Sequence, residues 1–334
     1  MTRTALIATT LAGLAVFASA AHLEAYITLG ATVGGRVVNL RWDRTVDYFV
    51  TNRDIADVTA PQLQGAIDRA FTSWAAVPRT SLGHQFVGFT GAEPVGGDGL
   101  TVIGFRSRPE LDRTLAAASF EVDDVTGRIL EVDIYFNSSQ PWSVAAGGRA
   151  GSFDLESVGV HEVGHLLGLG HSGLGETELR ADGGRRVVAK RAVMFPIAYP
   201  GGNIDDRTLE ADDKAGITEL YGTSDAIRNT GSLSGRVTLG GQGIFGAHIT
   251  AVHTATGDIV GGFSLTSRGD FVISGLVPGL YIVRAEPLDD ADIGSVFDDD
   301  AGVNLNFAPM FHDRLVAVPR GGTGPGIEIK VKAK

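Results

Sequence analysis

At 334 residues, 43 % of them hydrophobic, the chain is long enough for about two domains and apolar enough to fill a core in each. A net charge of −11 argues against nucleic acid or an anionic membrane as the main partner. Cysteine is absent, which excludes disulfides and a cysteine-borne lipid anchor, so stability has to come from burial.

Met1-Thr2-Arg3, then an apolar run through Val16 and Phe17 to Ala18-Ser19-Ala20, has the charged start, apolar middle and small-residue exit of a secretory signal. Residues 1–20 therefore read as a leader cleaved after Ala20. The run is shorter than the ~20 apolar residues of a membrane span, and the mature chain is expected to be secreted, extracellular or periplasmic. Alternating runs at 46–50, 101–105 and 130–136 read as strands. Between the first two, Thr59-Ala60-Pro61-Gln62 offers a capping box, and Leu63, Ala66, Ile67, Ala70, Phe71 and Trp74 follow at helical spacing. Asp154 can cap another helix, with Leu155, Val158, Leu166 and Leu167 facing a core. Strands alternating with helices predict an α+β or α/β domain on a twisted, mixed but mostly parallel sheet, with a long helix capped at Asp154. Gly96-Gly97-Asp98-Gly99 and Asp123-Asp124-Val125-Thr126-Gly127 are candidate oxygen donors for a structural Ca2+, although both also read as ordinary turns without EF-hand spacing.

The most informative stretch is His161-Glu162-Val163-Gly164-His165-Leu166-Leu167-Gly168-Leu169-Gly170-His171. Residues four apart share a helix face, so His161 and His165 can point at one ion with Glu162 beside it. Continued as helix, the chain would carry residue 171 roughly 9 Å along the axis from residue 165. A sharp turn at Gly168, where positive φ is tolerated, is needed to bring His171 back. Three imidazoles on Zn2+ leave a fourth position for water, whose pKa falls to about 7, and Glu162 is placed to take the proton. H-E-x-x-H-x-x-G-x-x-H is the metzincin signature. Met194, in Ala192-Val193-Met194-Phe195-Pro196, is placed to give the methionine turn that such sites carry under the metal, a structural role without a metal bond.

With Ser172 directly after the third histidine, the catalytic region resembles the matrixins, the matrix-metalloproteinase group, in a bacterial-looking form. The resemblance runs over roughly residues 36–222. It includes Arg41-Trp42-Asp43 with the strand Val46–Val50, the helix Ala66–Trp74, Leu130–Asn137 with Trp142, and a closing helix from Asp212-Asp213 to Tyr221-Gly222. It implies a substrate lying along an edge strand, Leu115–Phe120. Thiol latency is impossible without cysteine. Residues 173–191 form an insertion longer than in the animal enzymes; it reads as a hairpin around Asp182-Gly183, either a solvated loop or an overhang on the primed side of the cleft. Tyr199 stands three residues past Pro196 rather than two.

After Tyr221-Gly222, short alternating strands separated by glycine turns predict a β-sandwich. Ser234-Gly235-Arg236-Val237, Gly246-Ala247-His248-Ile249, Gly269-Asp270-Phe271 and Leu276–Tyr281 resemble the carboxypeptidase-regulatory-like, transthyretin-like module, which could bind a substrate or a surface partner. The acidic runs Asp289–Asp292 and Asp298–Asp300 read as solvated loop. The expected organisation is a leader (1–20), a zinc metalloprotease domain (21–225) and a β-sandwich (226–334). The expected activity is that of a secreted zinc endopeptidase acting on proteins or peptides; the rival is a catalytically inactive, zinc-stabilised surface or binding protein of the same fold, which a damaged ligand or base would mark.

Overall fold

In the computed structural model the described residues are 4–8, 28–33, 36–111, 113–123, 125–181, 184–199, 201–297 and 302–334. Apart from 4–8, the leader lies outside them, as do the Asp182-Gly183 hairpin tip and the acidic run 298–300. The N-terminal part runs β1 (Thr4–Ala8), β2 (Gly30–Val33), β3 (Arg36–Asn39), β4 (Val46–Thr51), α1 (Ala60–Ala75), β5 (His84–Thr90), β6 (Val102–Arg106), β7 (Ala116–Asp123), β8 (Ile129–Asn137), β9 (Trp142–Ser143), β10 (Phe153–Asp154), α2 (Leu155–Leu166), β11 (Gly175–Leu179), β12 (Arg185–Lys190), α3 (Ala211–Tyr221) and α4 (Ser224–Asn229).

Strand order in the main sheet is β1-β7-β8-β6-β4-β5. Strands β8, β6, β4 and β5 are mutually parallel, and β7 runs antiparallel to β8. The mixed, mostly parallel sheet expected from the alternating runs is present. Interior position shows in the sequence of β8, where every residue but Leu130 is buried, as expected for a strand covered on both faces. Two of those residues are acidic. Glu131 accepts N–H bonds from Gly97 and Gly99, and Asp133 accepts from Gly96 and Val102. Burial pushes the Asp133 carboxyl up to about 7, against those donors. The Gly96–Gly99 turn is thus a wrapping of amides around buried carboxylates, and Asp123 closes its own turn by accepting from Val125 and Thr126.

Helix α1 starts with the expected capping box, Thr59 with Gln62, and buries Leu63, Ala66, Ile67, Ala70, Phe71 and Trp74. It packs on α2, with Trp74 Nε1 donating to the Val160 carbonyl at 2.8 Å. Asp154 caps α2 through Ser157 N–H at 2.9 Å, and Arg207 clamps the cap carboxylate at 2.6 Å and 2.9 Å. Helix α2 runs 12 residues from the Asp154 cap and stops at the turn at Gly168, as expected, against 16 residues in α1. The carbonyls left open at its C-terminal end are taken by side chains remote in sequence. Trp42 Nε1 donates to Leu166 O at 2.9 Å and Tyr221 OH to Leu167 O at 2.7 Å, while Tyr221 OH accepts from Trp42 N at 3.1 Å.

The C-terminal part adds β13 (Gly231–Leu239), β14 (Gln242–Gly243), β15 (His248–His253), β16 (Ile259–Phe263), β17 (Asp270–Leu276), β18 (Gly279–Glu286), β19 (Met310–Phe311), β20 (Val316–Val318) and β21 (Ile327–Val331). One sheet is built on β13, which pairs with β14, β17 and β21; the other follows the order β16-β15-β18-β19, with β20 also on β18. Inward residues such as Leu233, Val237, Ile249, Phe271, Ile273, Tyr281, Val283 and Ile329 form its core. A further apolar cluster joins the two parts: Val187 and Phe195 pack with Phe263, Leu288, Ala291, Val296 and Phe297. The insertion 173–191 is a hairpin, as expected, and Val187 seats it in this cluster. The run Asp289–Asp292 keeps Asp289 and Asp292 exposed, as expected of a solvated loop, while Ala291 is buried and Thr177 N–H donates to Asp290 Oδ1 at 2.7 Å. Among the described residues, no helix is long and apolar enough to cross a membrane.

Trp42→Phe keeps the ring volume close but strands the buried Leu166 carbonyl; loss of about 1–3 kcal/mol of stability is expected, measured by urea denaturation as a lower midpoint with unchanged slope.

Candidate metal centre

Helix α2 presents His161, Glu162 and His165 together because they lie at i, i+1 and i+4. The helix then closes: Gly168 N–H bonds to His165 O at 2.7 Å, and Gly168 takes φ of +99°. A Cβ there would collide with the Leu40 carbonyl, so both the backbone conformation and the close approach require glycine. The turn returns His171 to the first two histidines, and one ring nitrogen from each of the three lies within 4.8 Å of the others. His165 Nε2 and His171 Nε2 are 3.1 Å apart. All three are buried, and Glu162 is fully so.

Each ring is oriented from behind. His161 Nδ1 bonds the Val193 carbonyl at 2.8 Å, His165 Nδ1 that of Leu169 at 2.8 Å, and His171 Nδ1 that of Ser295. A carbonyl only accepts, so each Nδ1 carries the hydrogen and each Nε2 keeps its lone pair for a metal. Burial, reinforced by the neighbouring rings, holds His161 well below the usual histidine range, and burial lowers His165 to about 3 and His171 to about 4. The three rings are therefore neutral, the form that binds metal. His161 Nε2 and both carboxylate oxygens of Glu162 have no protein partner. Orphaned buried polar atoms are costly, and a cation inside the triangle with a polar ligand beside Glu162 would satisfy all of them. The donor set, three imidazoles plus an open side, fits zinc. Burial raises Glu162 to about 8.

Met194 lies under α2 at Gly164, where a Cβ would run into Met194 Sδ and the Trp74 ring. Gly164 is a close-approach glycine that motif spacing alone did not explain. Asp213 holds the turn, accepting from Val193 N–H at 2.9 Å, Met194 N–H at 3.1 Å and Glu210 N–H at 2.8 Å. Its neighbour Asp212 accepts from Ser172 Oγ at 2.7 Å and from Gly261 N–H, in the C-terminal part, at 2.8 Å. Sequence reading placed this acidic pair in a closing helix without finding its task. The pair at the start of a helix was visible; its distant partners, 19 to 49 residues away, were not.

Beside His161 opens a cleft of about 380 Å³ lined by Leu115, Val158, Phe195, Tyr199, Asp292 and Ser295, among others. Tyr199 thus reaches the cleft despite its displaced spacing, and its OH accepts from Lys190 N–H at 3.2 Å. The cleft also holds the nearly buried ion pair of Lys190 and Asp206, 2.6 Å apart.

Residues 41–180 match the family model described as Matrixin. Over these residues the chain is similar to the matrixins. It is 29 % identical over 200 residues to Metalloendoproteinase 1-MMP of Arabidopsis thaliana, covering 56 % of this chain and 46 % of that one. It is 33 % identical over 193 residues to Metalloendoproteinase 5-MMP of Arabidopsis thaliana, covering 51 % and 44 %. With Matrix metalloproteinase-16 of Rattus norvegicus the identity is 32 % over 175 residues, covering 50 % and 25 %. The chain spans about half the length of the first of these curated relatives, and less of the animal one. The family match stops within the insertion hairpin, short of Met194, Asp212 and Asp213.

Gly164→Ala should destabilise the chain by about 1–3 kcal/mol through overpacking. Adding Met194→Ala should recover part of that loss in a double-mutant cycle; strictly additive effects on the thermal midpoint would contradict the contact.

Proposed function

We propose that the chain is a secreted zinc-dependent endopeptidase, with His161, His165 and His171 holding one catalytic Zn2+, Glu162 as general base and acid, and Met194 as a floor without a metal bond. The observation that carries this is the set of three inward Nε2 atoms, every Nδ1 engaged by a carbonyl, next to a buried carboxylate with two free oxygens. Bound zinc would supply Lewis-acid polarisation of the peptide carbonyl and acidify the attacking water.

Glu162 does the proton work. No protein donor competes for its oxygens, which leaves both free to accept a water proton. It takes a proton from water as the new C–O bond forms and delivers it to the amide nitrogen as the C–N bond breaks. The peptide is oriented by the edge of β7, which is next to the cleft at Leu115; main-chain pairing there would hold an extended segment. Strand β1 pairs with Ser119–Asp123 of this edge, and cleavage of a leader at Ala20 would uncover that stretch as well.

The division into 21–225 and 226–334 is supported by the two main cores, which gather side chains from Leu29 to Tyr221 and from Ala215 to Val331. Calcium gains no such support: the carboxylates behind Gly96–Gly99 already accept four main-chain N–H groups.

Two measurements test the activity. Glu162→Ala should retain one zinc per chain while casein or peptide hydrolysis falls by at least ~10²-fold, the lower range for loss of general acid–base catalysis; a variant with full proteolysis would remove Glu162 from the mechanism. Chelation of the wild type should abolish hydrolysis and added zinc restore it, whereas a chain that binds zinc but cleaves no peptide library would favour the inactive binding protein.

A further inference from the structure

Two of the three ligand histidines are oriented by carbonyls of the catalytic part, Val193 and Leu169. The third is not. His171 stands on a loop beyond the end of α2, and its Nδ1 is met by Ser295, which belongs to the segment following β18 of the β-sandwich.

That segment is built to be there. A 3-10 turn at Ile293–Ser295 is closed by Ser295 N–H to Asp292 O at 2.9 Å and Phe297 N–H to Ile293 O at 2.7 Å, and it aims the Ser295 carbonyl at the imidazole. Leu288, Ala291, Val296 and Phe297 anchor it in the shared apolar cluster. The insertion hairpin clamps its outer side: Thr177 binds Asp290 through N–H and Oγ1, both at 2.7 Å, and Arg185 donates to Asp289 O at 2.8 Å. From the opposite side Gly261 N–H, also in the sandwich, holds Asp212, which holds Ser172, the residue after His171.

We propose that the C-terminal sandwich is a built component of the metal centre, in which Ser295, through its main-chain carbonyl, is a positioning residue for His171, and Asp292 with Ser295 forms one wall of the substrate cleft. The inference rests on the zinc-peptidase reading. It makes the 173–191 insertion a clasp for the sandwich, and it makes the sandwich part of the enzyme rather than a targeting module tethered beside it. A carbonyl behind a ligand histidine fixes both tautomer and ring direction, and removing such a support weakens metal binding by roughly 10–100-fold.

The test uses the full chain in two forms: Arg185→Ala with Asp290→Ala, which opens the polar clasp and leaves the apolar clusters intact, and replacement of residues 289–296 by a glycine-serine segment of equal length. Zinc affinity is read by competition with a chromogenic chelator, the His171 Nδ1 proton by ¹⁵N-edited NMR of the zinc form, and kcat and KM on a peptide confined to the non-primed side. The segment replacement should weaken zinc binding at least tenfold, abolish the slowly exchanging His171 Nδ1 proton while those of His161 and His165 persist, and lower kcat more than it raises KM. The double substitution should move the same readouts in the same direction to a smaller extent. If the segment replacement does not fold, the double substitution decides alone. A folded variant with freed loop amides, by hydrogen exchange, but zinc affinity and the His171 proton unchanged would overturn the proposal. Failure of the zinc reading would appear separately, as a wild-type chain that binds no zinc or a Glu162→Ala variant that still cleaves.

Discussion

Three imidazoles can converge on one small volume only if each has its second ring nitrogen held elsewhere. The three Nδ1–carbonyl bonds set that condition here, and most of the surrounding architecture follows from supplying the carbonyls. Val193 belongs to the methionine turn, Leu169 to the turn that stops the active-site helix, and Ser295 to the sandwich. Each acceptor is a main-chain group, so its position depends on the fold around it and not on the identity of its side chain.

The supports are linked. Asp213 fixes the main chain at Val193 and Met194 by accepting both their N–H groups, which sets the carbonyl behind His161 and presses Met194 against Gly164. Gly168 places Leu169 for His165 and brings His171 within reach. Trp42 and Tyr221 take the open carbonyls at the end of α2, which is also where the ligand loop begins. Charge inside this frame is handled by amides: Glu131, Asp133 and Asp213 are all buried acceptors of main-chain N–H groups, which is why so acidic a core is tolerable without a cation at each carboxylate. Glu162 is the exception, buried with no donor, and an unsatisfied carboxylate in a cleft beside a metal-competent triangle is the arrangement expected of a working base.

Much of this was legible along the chain. The helix from Thr59, the cap at Asp154, the strands β4, β6 and β8 of the main sheet, the hairpin in the insertion and the sandwich strands follow from local periodicity and turn chemistry, which act over a few residues. The three histidines and Glu162 are legible for the same reason: a helix converts i, i+1 and i+4 into one face, and Gly168 marks the point where the helix must stop. Where local reading stopped short, at the contacts made by the insertion and by Asp290, a distant partner decided. An acidic run is usually solvated; here Thr177 and Arg185 supply donors that only the packed sandwich brings near.

The sequence by itself determined which atoms form the centre, His161, Glu162, His165 and His171, because their relation is fixed by helical geometry and one glycine turn. Only the tertiary structure decided what holds those atoms in working orientation. A carbonyl leaves no mark in a residue's identity, and the bonds from Val193 and Ser295 span 32 and 124 residues, so the sandwich's contact with His171 exists only once the chain has folded.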